Sequence, residues 1–419
     1  DGFMRKDEQV RIQYAAKYAG IENAYKKWKG EVLGLTRTNA LDKKKSYETE
    51  FQKRVNANPQ WKTQHGNLLA DISSAYAELR PYGFARDYFN EIISKIELFT
   101  IAAQLNSLVT AYEKAGEQGY NQRLAQVKEF LPEFYKEYSM PVDKKVFEAM
   151  MALYVKDQEK HNVSSQLKEK LMMVAGDFEK LSDNIYEETD IHSETVTMGR
   201  LNQTAADMVS FIKNNPTVRL YNDILKTYQV QVQGRLNEIQ ARINSLQRSY
   251  MQAQMEVFKE KKFYPDANST LRITYGNVKG YEARDAVKFD YYTYLDGVME
   301  KYKAGDYEFD VPGKLRELYK NKDYGQYAAK GKLPVCFIAA NHTTGGNSGS
   351  PALDANGNLI GINFDRVWEG TMSDINYDPS ICRNIMVDIR YILFIIDKYA
   401  GATRLINEMK LVPAKKKGA

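Results

Sequence analysis

The hydrophobic pattern of this 419-residue chain changes at Tyr264-Pro265-Asp266, and that change limits the possible folds more than any other feature. Before it, stretches rich in Lys, Glu, Gln, Ala and Leu carry apolar residues at three- and four-residue spacing, as along residues 89–105, which is typical of amphipathic helices. After it, short strand-like runs dominate. The pattern predicts an α+β protein with a helical domain at residues 1–264 and a strand-containing domain at residues 265–419.

Proline and glycine divide the first domain into roughly six or seven predicted helices. The longest periodic run, residues 221–261, has apolar residues at near-heptad spacing, so it is either one long helix packed in a bundle or a coiled-coil arm. The predicted helix breaks are Asn58-Pro59, Arg80-Pro81-Tyr82-Gly83, Gly116 to Gly119, Leu131-Pro132, Met140-Pro141 and Asn214-Asn215-Pro216.

The second domain contains short apolar runs bounded by turn-forming residues, which predict strands. The last of these runs leads into an apolar segment at residues 391–408, for which we predict a C-terminal helix. An Asn-Gly pair within residues 354–358 predicts a hairpin turn. The predicted strands are residues 271–275, 334–340, 358–364 and 384–389.

Residues 346–351 read Gly-Asn-Ser-Gly-Ser-Pro and lie between two of the predicted strands. In chymotrypsin-like peptidases, a Gly-x-Ser-Gly-x-Pro turn directs the N–H groups of the nucleophilic serine and of the glycine two residues before it towards the developing oxyanion. We therefore predict Ser348 as a nucleophile, with the N–H groups of Gly346 and Ser348 forming the oxyanion hole. The alternative is an ordinary hairpin turn rich in Gly, Asn and Ser.

A serine nucleophile needs a base, and the four histidines of the chain offer no clear candidate. His65, His161 and His192 lie in helical or linker sequence. His342 shortly precedes Ser348, whereas the base of a two-barrel enzyme comes from the other barrel. We predict that His342 either lines the specificity pocket or is a hydrogen-bonded structural residue.

Charge and composition exclude several classes of function. The net charge of +5 arises from 59 basic and 54 acidic residues mixed along the chain, so the sequence predicts no nucleic-acid partner. The one basic run, Lys415-Lys416-Lys417, is predicted to be solvated. No apolar stretch approaches the ~20 residues of a membrane span.

The two cysteines, Cys336 and Cys382, have neither CxxC nor zinc-site spacing, so we predict no metal and no cofactor. They form either a disulfide or two free thiols. The chain opens without a charged-then-apolar leader. A signal was therefore removed, or the chain begins inside a longer protein.

Several sequence blocks together resemble one family of peptidases. These blocks are residues 341–351, residues 360–366, LRITYGNVKGY at residues 271–281, residues 285–287, residues 295–301, and VRIQYAAKYAG at residues 10–20 with Asn23 and Lys26. The chain resembles the bacterial dipeptidyl peptidases of serine-peptidase family S46 over essentially its whole length. Within the family it is most similar to the dipeptidyl peptidase 11 branch, whose members remove dipeptides with Asp or Glu as the second residue.

The resemblance implies a chymotrypsin-like double barrel with a large all-α domain inserted between its halves as a cap. This chain would hold the helical cap and the second barrel. Members of the family carry the catalytic histidine and aspartate in the first barrel, so we expect this chain to be the C-terminal part of a longer enzyme and to be inactive without that barrel. The resemblance also implies a homodimer that is periplasmic or secreted.

The resemblance assigns further roles near the nucleophile. Arg366 stands where members that prefer apolar residues have glycine, and a guanidinium matches a carboxylate, so it implies an acidic side chain at the cleaved residue. Asp365 and Asn23 would hold the free amino terminus of the substrate, and Phe364 would line the second pocket. The alternatives are a strand-end arginine that points into water, and a helix-cap or loop amide for Asn23.

Together with these residues, the resemblance implies a serine exopeptidase that releases N-terminal dipeptides with Asp or Glu at the second position, through a Ser-His-Asp triad and an acyl-enzyme. Two other functions remain open from the sequence. A glutamyl endopeptidase would share the Gly-Asn-Ser-Gly-Ser-Pro loop and the acidic preference, but it would not need the long helical domain. A non-catalytic helical binding protein with a degenerate barrel would explain the missing base.

Overall fold

The computed structural model describes residues 2–264, 270–306 and 308–412. Pro265 and Asp266, at the predicted domain boundary, and the basic run at residues 415–417 lie outside the described residues.

The chain forms two compact units. The helical unit consists of Asp1–Tyr18 and Glu48–Lys262, and the sheet unit consists of Ala19–Tyr47 and Phe263–Ala419. This grouping differs from the division expected from the sequence in one respect: residues 19–47, which are helical, belong with the strands.

Helices make up almost all of the chain before residue 258. They are α1 (Glu8–Arg37), α2 (Ala40–Ala57), α3 (Pro59–His65), α4 (Leu68–Glu91), α5 (Glu97–Lys136), α6 (Met140–Asp157), α7 (Ser165–Met173), α8 (Phe178–Glu187), α9 (Glu194–Arg200), α10 (Ala205–Asn214), α11 (Pro216–Tyr228) and α12 (Gly234–Val257). Short 3-10 turns cover Ile93–Lys95 and Lys160–Asn162, and a π-helical segment covers Gln229–Gln233. The helices are more numerous than predicted.

Some predicted helix breaks are confirmed because a side chain caps the next helix there. Asn58 accepts hydrogen bonds from the N–H groups of Gln60 and Trp61 at the start of α3, and Asn215 does the same for α11. The break at Met140-Pro141 is also confirmed as the start of α6.

Two predicted breaks are wrong, since Pro81 lies inside α4 and Pro132 lies inside α5. A proline removes one backbone hydrogen bond, and packing of the flanking turns offsets that cost. The predicted break near Gly116 is confirmed: α5 consists of two helical stretches that meet at a kink, where Ala115 and Gly116 have non-helical backbone angles.

The long periodic run is a packed helix and not a projecting arm. Within the helical unit, Ile239 and Ile243 of α12 pack with Ala75 of α4. The Glu78 carboxylate of α4 also lies 2.8 Å from the Arg242 guanidinium of α12. Further along, His65 lies 3.2 Å from Glu256, so the two stretches run antiparallel.

A buried carboxylate fixes the start of α5 in the helical core. The Asp143 oxygens accept hydrogen bonds of 2.8 Å from the N–H groups of both Glu97 and Leu98, and one of 2.5 Å from the Tyr186 hydroxyl. These bonds satisfy two of the donors that a helix leaves free at its N-terminus. Burial raises the pKa of the Asp143 carboxyl to about 6.

The sheet unit contains a two-stranded and a five-stranded antiparallel sheet. Their strands are β1 (Tyr281–Arg284), β2 (Val287–Phe289), β3 (Tyr292–Tyr294), β4 (Pro334–Ala339), β5 (Pro351–Leu353), β6 (Leu359–Arg366) and β7 (Asn384–Asp388), and the larger sheet has the order β3-β4-β7-β6-β5. Its helices are α13 (Leu295–Glu300), α14 (Gly313–Lys320), α15 (Ile389–Phe394) and α16 (Thr403–Asn407). Over the described residues this sheet is open, with β3 and β5 at its edges.

Three of the predicted strands are confirmed as β4, β6 and β7, and so is the hairpin turn that joins β5 to β6. The strand predicted at residues 271–275 is wrong. Leu271, Ile273 and Tyr275 are 95, 82 and 91% exposed, and their segment enters neither sheet of the described structure. A period-2 pattern forms a strand only where a neighbouring strand completes the hydrogen-bond ladder.

The predicted C-terminal helix is interrupted. It consists of α15, a π-helical segment at Ile395–Tyr399, and α16. Gly401, at φ +69°, ends the first part in the left-handed conformation that glycine favours.

Candidate active site

The predicted nucleophile loop connects β4 to β5 in the sheet unit. Gly346 and Gly349 have φ angles of +96° and +84°, which a residue with a Cβ adopts only with strain. The Asn347 side chain accepts a 2.9 Å hydrogen bond from the N–H of Thr344 and so holds the turn on its N-terminal side. Between the glycines, the Ser348 side chain is exposed to solvent.

A second asparagine fastens the loop on its other side. The N–H and C=O of Asn363 in β6 pair with Ser350 and Gly349 at 2.9 and 2.8 Å. Its side-chain amide donates to the carbonyl oxygen of Asn347 at 3.1 Å. Asn384 of β7, which is 1% exposed, donates in turn to the Asn363 side chain at 3.1 Å. Ser348 is therefore held between groups that are fixed by the sheet.

Ser348 is also joined to the end of β6, where the predicted specificity residues lie. The pairing of β6 with β7 shifts between Asn363 and Asp365, as it does at a β-bulge. At this shift, the Ser348 hydroxyl donates to the carbonyl oxygen of Phe364 over 3.4 Å. The structure thus brings the predicted nucleophile together with Phe364, Asp365 and Arg366.

The Arg366 side chain is largely covered and does not point into water. One of its terminal nitrogens donates to the Ser373 hydroxyl at 2.6 Å, and the other lies 2.8 Å from the Asp374 carboxylate. Asp365 is exposed, and its carboxylate accepts from the N–H of Arg366 at 2.7 Å. Phe364 is 46% exposed.

The ion pair shifts the titration of Asp374. Burial alone raises the pKa of its carboxyl, but hydrogen bonding to Arg366 and the charge of that residue outweigh burial. The Thr344 hydroxyl and the positive charge of Lys27 act in the same direction. The pKa of Asp374 therefore lies below its usual value, so the residue is an anion at neutral pH.

His342 contacts the same short segment as Arg366. Its Nε2 lies 3.2 Å from the carbonyl oxygen of Ser373, and its ring lies against that of Tyr377 with centroids 4.5 Å apart. These contacts support the interpretation of His342 as a hydrogen-bonded structural residue, whereas pocket lining stays a prediction. Within the described residues, no histidine hydrogen-bonds to Ser348.

Asn23 lies on an exposed turn of α1, within the part of that helix that belongs to the sheet unit. It occupies a helix interior, so it is not a helix cap. Gly30 and Gly34 bring the same helix against the 3-10 segment Trp368–Asp374: a Cβ on Gly30 would lie 2.4 Å from Thr371 Oγ1, and one on Gly34 would lie 2.8 Å from Met372 Sδ. None of the hydrogen bonds of the described residues joins Asn23 to β6.

Sequence reasoning missed the residues that support the site, namely Asn363, Asn384, Ser373 and Asp374. A signal was present for Asn363, because an amide between apolar residues of a strand has to find a buried partner. No comparable signal marks the other three. Asn384 depends on the pairing of β7 with β6, and Ser373 and Asp374 depend on the turn of the chain that brings them back to Arg366.

The sequence left the state of the cysteines open, and the structure shows Cys336 and Cys382 as free thiols. No group of three or more His, Cys, Asp or Glu that could hold a metal occurs in the part of the chain that the structure describes. No single described helix is long and apolar enough to cross a membrane, although one pair bent by 88°, Pro59–Lys95 with Glu97–Lys136, passes the length and composition test together.

The sequence model of the family described as Peptidase S46 matches residues 1–411. The chain belongs to the S46 peptidase family. An Asp/Glu-specific dipeptidyl-peptidase of Flavobacterium psychrophilum is 49% identical over 418 residues, which cover 100% of this chain and 58% of that protein. A dipeptidyl-peptidase 7 of Phocaeicola vulgatus is 34% identical, with 98% of this chain and 56% of that protein covered.

Solved structures of the family have the same fold. The crystal structure of Porphyromonas endodontalis DPP11 in complex with the dipeptide Arg-Glu superimposes with a TM-score of 0.81 at 32% identity. The match covers 97% of this chain and 57% of that one. The S46 resemblance predicted from the sequence is confirmed, and the chain spans less than two thirds of the length of these relatives.

Proposed function

We propose that this protein acts as a serine exopeptidase that releases N-terminal dipeptides with Asp or Glu at the second position. The observation that carries the proposal is the hydrogen bond between Ser348 and the carbonyl oxygen of Phe364, two residues before Arg366. It joins the candidate nucleophile to the end of β6, the strand that carries Arg366. Two similar relatives are named Asp/Glu-specific dipeptidyl-peptidases, which supports the same specificity.

In the proposed mechanism, Ser348 attacks the carbonyl carbon of the second residue. The N–H groups of Gly346 and Ser348 stabilise the oxyanion, the amine leaves, and water hydrolyses the dipeptidyl ester. The reaction requires a base, which we assign to a histidine outside this chain that is oriented by an aspartate.

Two charged groups define the proposed substrate. Arg366 binds the acidic side chain of the second residue, while Asp365 and Asn23 bind the ammonium group of the first. Phe364 lines the pocket for the first side chain, and His342 borders the specificity pocket. The distance between the two charged ends then limits cleavage to dipeptides.

The finer architecture also stands as a proposal. We infer that the five-stranded sheet belongs to the second half of a chymotrypsin-like double barrel. Residues 1–264 and 265–419 are then the cap and barrel domains, with the helical residues 19–47 packed in the sheet unit. We also infer that the enzyme is a homodimer that is periplasmic or secreted.

Dipeptide release from free and N-blocked Xaa-Asp chromogenic peptides, measured on the full product of the gene, tests the function. Cleavage of the free peptide alone, lost in Arg366→Gly, is the expected result. Cleavage of the blocked peptide would indicate a glutamyl endopeptidase instead. Cleavage of neither would favour a non-catalytic binding protein.

A further inference from the structure

Arg366, which we propose binds the substrate carboxylate, already binds the carboxylate of Asp374. The Arg366 guanidinium lies 2.8 Å from Asp374, and the two side chains are only 17 and 23% exposed. An exposed ion pair contributes little, but a pair covered to this extent is shielded from solvent and fixes the orientation of both groups.

The segment that carries Asp374 is itself held in place. The carbonyl oxygen of Ser373 contacts His342, and the Ser373 hydroxyl accepts from Arg366 at 2.6 Å. The Thr344 side chain and the positive charge of Lys27 both favour the ionised form of the Asp374 carboxyl and so lower its pKa. Asp374 is therefore fixed beside Arg366.

The guanidinium keeps donors for a second carboxylate. Arginine has five N–H donors, of which Arg366 uses one on each terminal nitrogen. Its Nε–H has no partner among the described residues. A substrate carboxylate that binds this remaining edge comes within a few ångströms of the negative charge of Asp374, and like charges at that separation repel.

We infer that Asp374 is a specificity-determining residue that orients Arg366 and, at the same time, weakens its binding to acidic side chains. This inference rests on the proposed function of Arg366. The acidic side chain contacts the enzyme equally before and during acyl transfer, so tighter binding at this point lowers KM without raising kcat. Asp374 thereby limits how strongly the enzyme retains an acidic dipeptide product.

The test compares the dipeptides Arg-Glu and Arg-Gln by calorimetry on the full product of the gene. Asp374→Asn keeps an acceptor for Arg366 and removes the charge, so the Kd of Arg-Glu should fall about tenfold while that of Arg-Gln stays constant. KM for a Glu substrate should fall with it, and kcat should not rise. Asp374→Glu restores the charge and should return the ratio of the two Kd values towards wild type.

Lys27→Gln gives a second test of opposite sign on an exposed residue. Without this positive charge, the negative charge of Asp374 repels the Glu side chain of the dipeptide more strongly. The Kd of Arg-Glu should therefore rise several-fold, and the Kd of Arg-Gln should stay at its wild-type value. If Asp374→Asn does not fold, Lys27→Gln decides alone. Unchanged or weaker Arg-Glu binding in Asp374→Asn, or an unchanged Kd in Lys27→Gln, would overturn the inference.

Failure of the proposed function gives a different result. Wild-type protein that binds Arg-Glu and Arg-Gln equally would show that Arg366 does not receive the acidic side chain. Wild-type preference for Arg-Glu that is lost in Arg366→Gly, combined with no effect of Asp374→Asn, would overturn only the role of Asp374.

Discussion

The helical unit and the sheet unit use their covered charged groups differently. In the helical unit, the buried Asp143 carboxylate accepts hydrogen bonds from two backbone N–H groups and a tyrosine hydroxyl, all within the unit. In the sheet unit, Arg366 retains unused donors, and the exposed Ser348 hydroxyl makes one long hydrogen bond of 3.4 Å. A satisfied polar group stabilises a fold, whereas a partly satisfied one beside a nucleophile can bind a ligand.

Replacing the proposed nucleophile gives the largest expected effect. Ser348→Ala should lower kcat by at least about 10⁴-fold, because no other group supplies the attacking oxygen. The residue is exposed, so the thermal midpoint of unfolding should stay unchanged. Release of dipeptides at more than a trace rate by this variant would show that the sheet unit holds its nucleophile elsewhere.

Loosening the nucleophile loop should affect both activity and stability. Asn363→Ala removes the hydrogen bond to Asn347 and leaves the buried Asn384 amide without its acceptor. We expect kcat to fall about 100-fold through misplacement of the oxyanion hole, and the free energy of unfolding to fall by about 2 kcal/mol.

Asn244→Ala is the matched control for this variant, because Asn244 is an exposed amide on α12 of the helical unit. It should leave both quantities unchanged. A kcat equal to wild type in Asn363→Ala would show that the Asn363 side chain does not position Ser348.

The contact between Gly30 of α1 and Thr371 leaves no room for an added methyl group. Gly30→Ala places a Cβ 2.4 Å from the hydroxyl oxygen of the β-branched Thr371. Overpacking of this kind costs about 1–3 kcal/mol of unfolding free energy. The displaced helix carries Asn23, so kcat/KM for peptides with a free amino terminus should fall about tenfold.

Gly20→Ala, on the same helix, has nothing within 4 Å of the added Cβ. It should leave activity unchanged and should stabilise the helix slightly, since alanine has the higher helix propensity. If Gly30→Ala and Gly20→Ala were equally active, Asn23 would not take part in the proposed recognition of the substrate amino terminus.

The smallest expected effect is a pH dependence in the helical unit. The pKa of Asp143 is raised to about 6, so the folded state binds a proton more tightly than the unfolded state does. The stability that this group contributes is fully present below its ordinary pKa and is lost as the pH rises through about 6.

Thermal midpoints of wild type and Asp143→Asn between pH 4 and pH 8 provide the measurement. The advantage of wild type over the variant should shrink as the pH increases. An advantage that grows with pH would show that the carboxylate, not the carboxylic acid, is the form that the core favours.

The sequence predicted the helices and three strands because periodicity and capping are local properties. It failed at Pro81 and Pro132, where packing outweighed a local breaker, and at residues 271–275, where a strand-like pattern found no partner. The turn that exposes Ser348 was also predictable, since Gly346, Ser348 and Gly349 lie within four residues of one another. Asp374 was not, because its role depends on the fold that brings it to Arg366.

The central claim is that Arg366, at the end of β6 beside Ser348, receives the acidic side chain of the substrate. The most direct measurement is kcat/KM for matched Xaa-Asp and Xaa-Asn peptides with free amino termini, in wild type and in Arg366→Gln. We expect wild type to prefer the Asp peptide strongly and the variant to lose that preference while it retains cleavage of the Asn peptide. A variant that still prefers Asp would contradict the account.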